Sequence, residues 1–250
     1  HFQELREFIS NKKTIKSILR IDNVFQGVET GGNTIVTIEN TPPSDNSTQI
    51  DRIEETGDEI GFEAVDQSIF STIPWVRWPT EVNLISVMEK VHEGTTELES
   101  AGSFYQGVCT GDNSKWIQDT DDHPLAEKVL RGRDIQGFHV NWAGKYLIFD
   151  KDEMWSNTDE DFLRATPKIL LRQTGDSLIA ALDNEGQLII DSLYLFKPDG
   201  DYNSSVLTAL FNSTLLNRLY QFYCPEMDRA FAQVKVVNLR PLPIPDVDLE

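Results

Sequence analysis

Short apolar segments separated by turn residues run through the middle of the chain, and this pattern constrains the fold most. Residues 104–117 have the pattern of a strand, a glycine turn and a second strand. Five further strand candidates follow, namely KYLIFD (145–150), KILLRQ (168–173), SLIAALD (177–183), QLIID (187–191) and SLYLFK (192–197). Residues 183–186, Asp-Asn-Glu-Gly, predict a hairpin turn. Many short strands joined by tight turns predict a mainly antiparallel or mixed β domain.

Helical patterns lie on both sides of this β-rich region. Residues 204–222 carry apolar side chains at helical spacing, so we predict one helix that begins at Ser204 or Ser205 and covers this range. A second helix is predicted from Thr80 to about Gly94, again with a buried apolar stripe. We expect both helices to flank the β domain.

The beginning of the chain has a different character. Residues 2–11 have the pattern of an amphipathic helix, and residues 14–21 and 34–39 have the pattern of strands separated by a glycine turn at 30–33. This combination is typical of the edge of an α/β sheet. We therefore predict an α+β fold, in which a small α/β remnant precedes the mainly antiparallel or mixed β domain with its flanking helices.

A polar, acidic segment separates the two regions. Residues 40–68 contain few aliphatic side chains, and a proline-broken apolar stretch follows at 69–79. We predict that residues 1–40 are the end of one domain, that residues 41–75 are an acidic linker, and that residues 76–247 are a second domain.

Net charge limits the partners that the chain can bind. The sequence has 22 basic and 41 acidic residues, a formal net charge of −19, which opposes phosphate binding by the surface as a whole. The charge is uneven, because residues 41–100 hold 13 acids and 3 bases whereas residues 128–172 hold 8 bases and 7 acids. We therefore expect a local cationic face on an acidic body.

Motifs for catalysis or cofactor binding are absent from the sequence. NTPPS (40–44) has the two prolines of an aminomethyltransferase motif, but Ser44 takes the aromatic position, so we interpret it as a loop. No glycine-rich nucleotide-binding loop, GxSxG or HExxH occurs. Cys109 and Cys224 lack metal-ligand spacing and are expected to be reduced thiols. No run of 18 apolar residues occurs, so we expect a cytoplasmic protein without a membrane span.

Three segments place cationic or hydrogen-bonding groups in turns and at strand ends, and such groups bind phosphate oxygens and base edges. They are GVCTGDN (107–113), LRGRDIQGF (130–138), in which two arginines are predicted on one face of a strand, and PKILLRQTGDS (167–177). The candidate nucleic-acid contacts are Thr110, Gly111, Asn113, Lys128, Arg131, Arg133, Lys168, Arg172 and Thr174.

Each of these segments also has an ordinary structural interpretation. GVCTGDN is also typical of a hairpin turn with a capping asparagine. Arg131 and Arg133 suit surface ion pairs, for instance with Asp134, and residues 167–177 suit a strand-to-turn junction. Spacing alone leaves both interpretations open.

The order of the segments resembles the TaqI-like C-terminal specificity domain of gamma-class adenine-specific DNA methyltransferases. The matching segments are GVCTGDN (107–113), KVLRGRDIQGF (128–138), KYLIF (145–149), PKILLRQTGDSLIAALD (167–183), LFNSTLLNRLY (210–220) and VKVVNLRPLPIP (234–245). The resemblance covers about residues 70–247, and each segment is a weak motif that gains specificity from the order of all six. Phe211 departs mildly from the family's usual leucine-asparagine-serine pattern.

This resemblance implies a DNA target-recognition module. In the family, this domain contacts the major groove of double-stranded DNA, while an upstream domain of the same chain flips and methylates adenine with S-adenosylmethionine. Residues 15–40 are similar to the last strands of that catalytic domain. Its cofactor loop and NPPY-type motif are not in this sequence, so we expect no bound cofactor and no activity of this fragment alone.

Two other functions are compatible with the sequence. The acidic residues 41–68 suit a protein-interaction module that binds a basic partner or a neighbouring domain of the same chain. The carboxylates of residues 41–66 also suit a metal-dependent hydrolase or nuclease, although a solvated acidic loop explains them better.

Overall fold

The computed structural model describes residues 3–21, 33–53, 59–72, 78, 82–175, 177–200, 202–224 and 233–246. The chain divides into two compact units, His1–Thr95 and Thr96–Glu250. Helices combine with several antiparallel or mixed sheets, which confirms the α+β class. Within these ranges no helix has the length and apolar character needed to cross a membrane.

A four-stranded mixed sheet forms the first unit. Its elements are α1 (Gln3–Lys12), β1 (Thr14–Ile21), β2 (Asn33–Glu39), β3 (Ser47–Ile53), β4 (Glu59–Asp66), α2 (Ile69–Thr72) and α3 (Val82–His92). The strand order is β2-β1-β3-β4, with β1 and β3 parallel and the other pairs antiparallel. Ile15 and Ile18 are both 0% exposed although they are an odd number of positions apart, because the register of β1 shifts between Ile15 and Ser17. The predicted capping residue of α3, Thr80, lies outside the described ranges.

The strands β3 and β4 lie within residues 41–75, where the sequence predicts an acidic linker. That prediction is wrong for these strands, because side chains of β3 enter the core: Thr48 is 0% exposed and Ile50 is 2% exposed. The side-chain carbonyl of the buried Gln67 accepts the backbone N–H of Ile15 at 2.7 Å. A few buried side chains thus bind this acidic segment to β1.

Residues 40–44 form the loop between β2 and β3, as predicted for NTPPS. The backbone N–H of Thr14 donates to the carbonyl of Thr41 at 2.8 Å, and the Thr14 hydroxyl donates to the carbonyl of Pro42 at 3.0 Å. These bonds fix the loop against the start of β1. The predicted glycine turn at 30–33 lies outside the described residues, apart from its last position.

Short strands make up the rest of the described β structure. They are β5 (Thr95–Glu97), β6 (Gly102–Gln106), β7 (Ile117–Gln118), β8 (Ala126–Leu130), β9 (Ile135–Gln136), β10 (His139–Val140), β11 (Tyr146–Ile148), β12 (Lys168–Arg172), β13 (Ala180–Asp183), β14 (Leu188–Ile189), β15 (Leu193–Pro198) and β16 (Pro243–Pro245). In the second unit, an antiparallel sheet has the order β13-β12-β15-β6. A mixed sheet has the order β14-β8-β11-β7, in which β14 and β8 are parallel, and β9 pairs antiparallel with β10.

One hydrophobic core joins the two larger sheets of the second unit. Leu147 of β11, Leu170 of β12 and Leu195 of β15 are each 0% exposed and belong to the same cluster. Full burial of an aliphatic side chain of this size stabilises the fold by about 1.5–3 kcal/mol. The strands are thereby held in place, and the turns that connect them lie at the surface.

The turn at residues 183–186 forms as predicted, but it does not connect a hairpin. The strand before it, β13, pairs with β12, whereas the strand after it, β14, pairs with β8 of the other sheet. The Asp183 carboxylate accepts the backbone N–H groups of Glu185 and Gln187 at 2.8 and 3.0 Å, and Gly186 has φ +68°. These local bonds reverse the chain without selecting the partner of either strand.

The helices of the second unit are α4 (Asn113–Trp116), α5 (Glu160–Leu163), α6 (Ser204–Phe211), α7 (Thr214–Tyr223) and α8 (Val236–Leu239). The single helix predicted over residues 204–222 is therefore wrong, because the chain breaks at Asn212 and Ser213. The side chain of Asn212 accepts the N–H of Ala180 at 3.1 Å and donates to the carbonyl of Ala180 at 2.9 Å. Asn212 thus pairs with β13 as a neighbouring backbone would, while Ser213 caps the second helix.

Candidate functional site

A cleft of about 520 Å³ lies in the second unit, where several strands end and turns begin. Residues from four segments, 113–117, 131–133, 172–174 and 190–192, line it together with Lys145. Five of the nine predicted contacts line this cleft: Asn113, Arg131, Arg133, Arg172 and Thr174. The fold therefore brings together predicted residues from all three candidate segments.

The turn after β8 carries two of these residues, Arg131 and Arg133. The sequence predicts both on one face of a strand, but β8 ends at Leu130 and residues 132–134 form a 3-10 turn. The Asp134 carboxylate accepts the backbone N–H of Arg131 at 2.8 Å, and the backbone N–H of Asp134 donates to the carbonyl of Arg131 at 2.8 Å. This aspartate closes the turn, so the strand prediction is wrong here.

The two arginines consequently have different surroundings. The Nε atom of Arg131 lies 3.6 Å from Oδ2 of Asp134, and 15% of the arginine side chain is exposed. The ion-pair interpretation is thus confirmed for Arg131. Arg133 is exposed on the lining of the cleft, and no ion pair holds it to another residue that the structure describes. Arg133 is the more available cation of the two.

Ser192 connects the two segments that carry the arginines. Its hydroxyl accepts the backbone N–H of Gly132 at 2.9 Å, and its backbone carbonyl accepts the N–H of Gln173 at 3.0 Å. Gly132 follows Arg131, and Gln173 follows Arg172. One serine therefore fixes the separation of both segments across the cleft.

Arg172 and Thr174 lie where β12 ends. The Nε atom of Arg172 is buried and has no hydrogen-bond partner among the described residues. Leaving a buried donor unpaired is unfavourable, so a ligand that supplies an acceptor would be stabilised here. Thr174 is exposed, and the bond from the N–H of Val234 to the carbonyl of Gln173, 2.7 Å long, fixes the backbone beside it.

The GVCTGDN segment forms a capped turn. The Asp112 carboxylate accepts the backbone N–H of Ser114 at 2.9 Å, and hydrogen bonds led by that from the Ser114 hydroxyl hold the pKa of Asp112 below its usual value. Thr110 is 3% exposed, and its hydroxyl donates to Oδ1 of Asn113 at 2.7 Å. The prediction that the Thr110 hydroxyl faces a partner is therefore wrong. Asn113 is exposed, and its side-chain nitrogen is available as a donor in the cleft.

Gly111 packs against an exposed tryptophan. Gly111 has φ +77°, and a Cβ atom there would lie 2.2 Å from Nε1 of Trp155. Trp155 is 77% exposed, and its backbone N–H donates to the carbonyl of Cys109 at 2.9 Å. The conformation and the packing of Gly111 both require glycine, and the side chain presented at this point is Trp155, which was not among the predicted contacts.

Both predicted lysines lie outside the lining of the cleft. Lys168 is 0% exposed, and its Nζ atom lies 3.0 Å from Oδ2 of Asp183 and donates to two backbone carbonyls at 2.5 and 2.9 Å. Burial lowers the pKa of Lys168 and Asp183 opposes that shift. The prediction of Lys168 as a contact is wrong, because its ammonium group is used inside the core. Lys128 is exposed on β8, with Nζ 4.8 Å from the centroid of the Trp142 ring.

Positive charge predominates on the lining. Its cationic side chains are Arg131, Arg133, Lys145 and Arg172, and its carboxylate is Asp191. Lys145 forms an ion pair with the exposed Asp119. Burial raises the pKa of Asp191. This concentration of cations on a chain of net charge −19 agrees with the local cationic face expected from the sequence.

Seven of the twelve lining residues were not predicted, and three of these matter for charge or for the geometry of the cleft: Lys145, Asp191 and Ser192. Lys145 precedes the strand of KYLIF, and Asp191 ends QLIID, so both stand beside strand ends in the sequence. Position at a strand end, the criterion that selected Arg172, would have found them. No comparable signal exists for Ser192, because its role depends on contacts with two distant segments.

The arrangement of metal-ligating side chains and thiols bears on the hydrolase interpretation. In the part of the chain that the structure describes, no three His, Cys, Asp or Glu side chains are placed to hold a metal ion. Cys109 and Cys224 are free thiols, and Cys224 is buried. The described carboxylates therefore give no support to the metal-dependent hydrolase interpretation.

Comparison with known families gives a match that covers nine of the twelve residues lining the cleft. Residues 127–244 match the family model described as the TaqI-like C-terminal specificity domain. The match confirms the family resemblance for this range, which includes all four cationic residues of the lining. A comparison with curated proteins found no match.

Two solved structures resemble the chain at low identity. The type IIG restriction endonuclease BpuSI has 11% identity and a TM-score of 0.46, with 97% of this chain and 38% of that chain covered. The type IIL restriction-modification enzyme MmeI, solved in complex with DNA, has 10% identity and a TM-score of 0.44, with 94% of this chain and 37% of that chain covered. The chain thus spans less than two-fifths of the length of either protein.

Proposed function

We propose, from the TaqI-like C-terminal specificity domain that residues 127–244 match, that this chain recognises a double-stranded DNA sequence for a restriction-modification enzyme. The observation that carries the proposal is the cleft, where four cationic side chains from this range gather on a strongly acidic chain. Cations bind the phosphate backbone and supply affinity, while hydrogen bonds to base edges supply sequence preference.

The side chains of the cleft suit these two tasks differently. Arg133 is exposed and lacks an ion pair with any described residue, so it is the best placed to bind a phosphate or the O6/N7 edge of guanine. Arg172 has an unpaired buried nitrogen that a ligand acceptor would satisfy. Asn113 and Thr174 offer an amide and a hydroxyl, which hydrogen-bond to base edges or phosphates.

We further propose a role for this chain within a larger enzyme. An upstream catalytic domain of the same polypeptide methylates adenine, and the present chain positions the target adenine by fixing the register of the duplex. This role within the larger enzyme is inferred from the family resemblance of the ordered segments. The present chain would bind DNA without transferring a methyl group.

S-adenosylmethionine, the cofactor expected for the full-length enzyme, does not fit the cleft. The sulfonium, ammonium and carboxylate groups give the cofactor a net charge of +1, and the lining keeps an excess of cations even with Arg131 and Lys145 paired to Asp134 and Asp119. Like charges at short distance disfavour binding. We therefore assign the cofactor to the upstream domain, and no step of recognition by this chain passes through it.

Salt-dependent binding to a pool of random-sequence duplexes tests the proposal. Arg133→Ala and Arg172→Ala each remove one cation, so each is expected to reduce the slope of log K against log salt by about 0.9 per lost phosphate contact. Arg133→Lys keeps the charge and is expected to keep the slope. Arg218→Ala, an exposed arginine on α7, is the matched control and is expected to change neither the slope nor the affinity.

Two results would contradict the proposal. The first is an affinity and a salt slope that stay unchanged in Arg133→Ala, in Arg172→Ala and in the double variant. The second is a wild-type chain that ignores duplex DNA and binds a separate catalytic domain instead. That result would favour the protein-interaction module.

A further inference from the structure

The negative charge of Asp191 is unfavourable in a cleft that binds only phosphate. Among the residues that line the cleft Asp191 is the carboxylate, beside four cationic side chains. No ion pair joins it to another residue that the structure describes, so those cations do not neutralise it directly. A carboxylate in this place repels phosphate and weakens DNA binding unless the DNA supplies a donor besides the backbone N–H of Ser192, which the carboxylate already accepts.

The backbone of Asp191 is held rigidly. Its N–H donates to the carbonyl of Val108 at 3.0 Å, and its carbonyl accepts Nε2 of Gln106 at 3.1 Å. The next residue, Ser192, is bonded to the segments that carry the arginines. A Cβ atom on Gly107 would lie 2.3 Å from the carbonyl oxygen of Ile190, so the backbone segments around Gly107 and Ile190 are in close contact. The backbone of Asp191 is therefore fixed relative to the arginines, and the bond from the backbone N–H of Ser192 orients its carboxylate.

We propose that Asp191 is a specificity-determining residue, whose carboxylate accepts a hydrogen bond from the exocyclic amino group of a base in the major groove. This assignment rests on the DNA recognition proposed above. The chemistry of DNA leaves few alternatives, because phosphates and sugars of DNA offer no donor to a carboxylate. In the major groove the donors are N4 of cytosine and N6 of adenine.

A fixed carboxylate can distinguish base pairs by the location of this amino group. Every base pair has one amino group in the major groove, but its place across the groove differs among A·T, T·A, C·G and G·C. A carboxylate held at one place is satisfied by one arrangement and left desolvated by the others. The partial burial that raises the pKa of Asp191 increases the cost of the unsatisfied arrangements.

Selection from a randomised duplex pool, followed by sequencing of the bound fraction, tests the assignment. The wild-type chain is compared with Asp191→Ala, Asp191→Glu and the control Asp161→Ala, at an exposed aspartate of α5. Asp191→Ala removes the acceptor and is expected to lose the preference at one base-pair position by about 5- to 150-fold and to keep the others. Affinity for unrelated duplexes is expected to stay equal or to rise, because a negative charge has been removed.

A second step isolates the hydrogen bond itself. At the affected position, cytosine or adenine is replaced by an analogue that lacks the amino group. The wild-type chain is expected to lose affinity by about the same factor as Asp191→Ala loses preference, while Asp191→Ala binds both duplexes equally. Asp191→Glu keeps the charge but displaces the carboxylate, so it is also expected to lose the preference.

The outcomes separate this assignment from the proposed function. If the wild-type chain selects a sequence and Asp191→Ala selects the same one at every position, the assignment is overturned while DNA recognition stands. If Asp191→Ala weakens binding to all duplexes alike, Asp191 is structural and the assignment is also overturned. If the wild-type chain selects no sequence and Arg133→Ala changes nothing, the proposed function fails and the assignment fails with it.

Discussion

Replacing Lys168 by methionine is expected to destabilise the second unit and to leave the cleft cations intact. Lys168 is 0% exposed, so the substitution acts in the core. It removes the cation 3.0 Å from the Asp183 carboxylate, which is 3% exposed, and two backbone carbonyls lose their donor. Leaving one partner of a buried ion pair alone costs about 3–5 kcal/mol.

Urea unfolding with hydrogen exchange at the amides of β12 and β13 measures this cost within the second unit. With a denaturant slope of about 2 kcal/mol per molar urea, the expected loss lowers the midpoint by about 1.5–2.5 M. Lys197→Met is the matched control, because Lys197 is an exposed lysine on the neighbouring strand β15. Its ammonium lies 5.5 Å from the centroid of the Phe162 ring, and losing that contact is expected to cost below about 1 kcal/mol.

A double variant makes the prediction more specific. Asp183→Asn combined with Lys168→Met removes both charges, so the pair is expected to be less destabilised than the sum of the single variants. The reasoning is refuted if Lys168→Met unfolds at the wild-type midpoint. The reasoning is also refuted if Lys168→Met stays folded and its salt slope for duplex binding falls by about one, because Lys168 would then contact a phosphate.

Three further outcomes are expected. Gly111→Ala is expected to cost about 1–3 kcal/mol in urea unfolding, because φ is +77° and the new Cβ meets Trp155. Gly144→Ala has a similar φ of +70° with nothing within 4 Å, so a smaller loss there isolates the contact with Trp155, and an equal loss would contradict it. Ser192→Ala is expected to cost about 1 kcal/mol and to weaken duplex binding at an unchanged salt slope, because the arginines stay but are less fixed; a changed slope would count against this. Asp191→Asn is expected to unfold at higher urea than wild type at pH 7, because burial raises the pKa of Asp191 and penalises its charged form. The stability difference is expected to shrink as pH falls through this raised pKa towards the ordinary value of 3.8, and a difference that grows on acidification would exclude this origin.

Local patterns predicted much of the fold. Periodicity located α1, β1, β2 and most of the short strands, because apolar spacing reports burial directly. The same criterion failed for β3 and β4, where a few buried side chains suffice among many acids. It failed again at Asn212, where a side chain substitutes for a backbone partner that is distant in sequence.

The sequence predicted the types of residue that line the site, but it did not predict which of their side chains face the cleft. Arg172 and Thr174 were found because they stand at a strand end, and Arg133 was found as one of two arginines predicted on one strand face; all three line the cleft. Lys168 has the same position in the sequence, yet its side chain points into the core, where Asp183 binds it. Sequence spacing does not report the direction of a side chain when the partner strand is unknown.

The bonds of Ser192 divide the cleft into parts that differ in how freely they can change. Gly132, Ser192 and the buried ends of the strands form a frame whose alteration would disturb folding. Arg133 and Thr174 project from that frame, and both are exposed. Substituting these exposed side chains would change which DNA sequence is preferred and leave the frame intact. A new sequence preference therefore requires only single substitutions and no compensating change elsewhere in the fold.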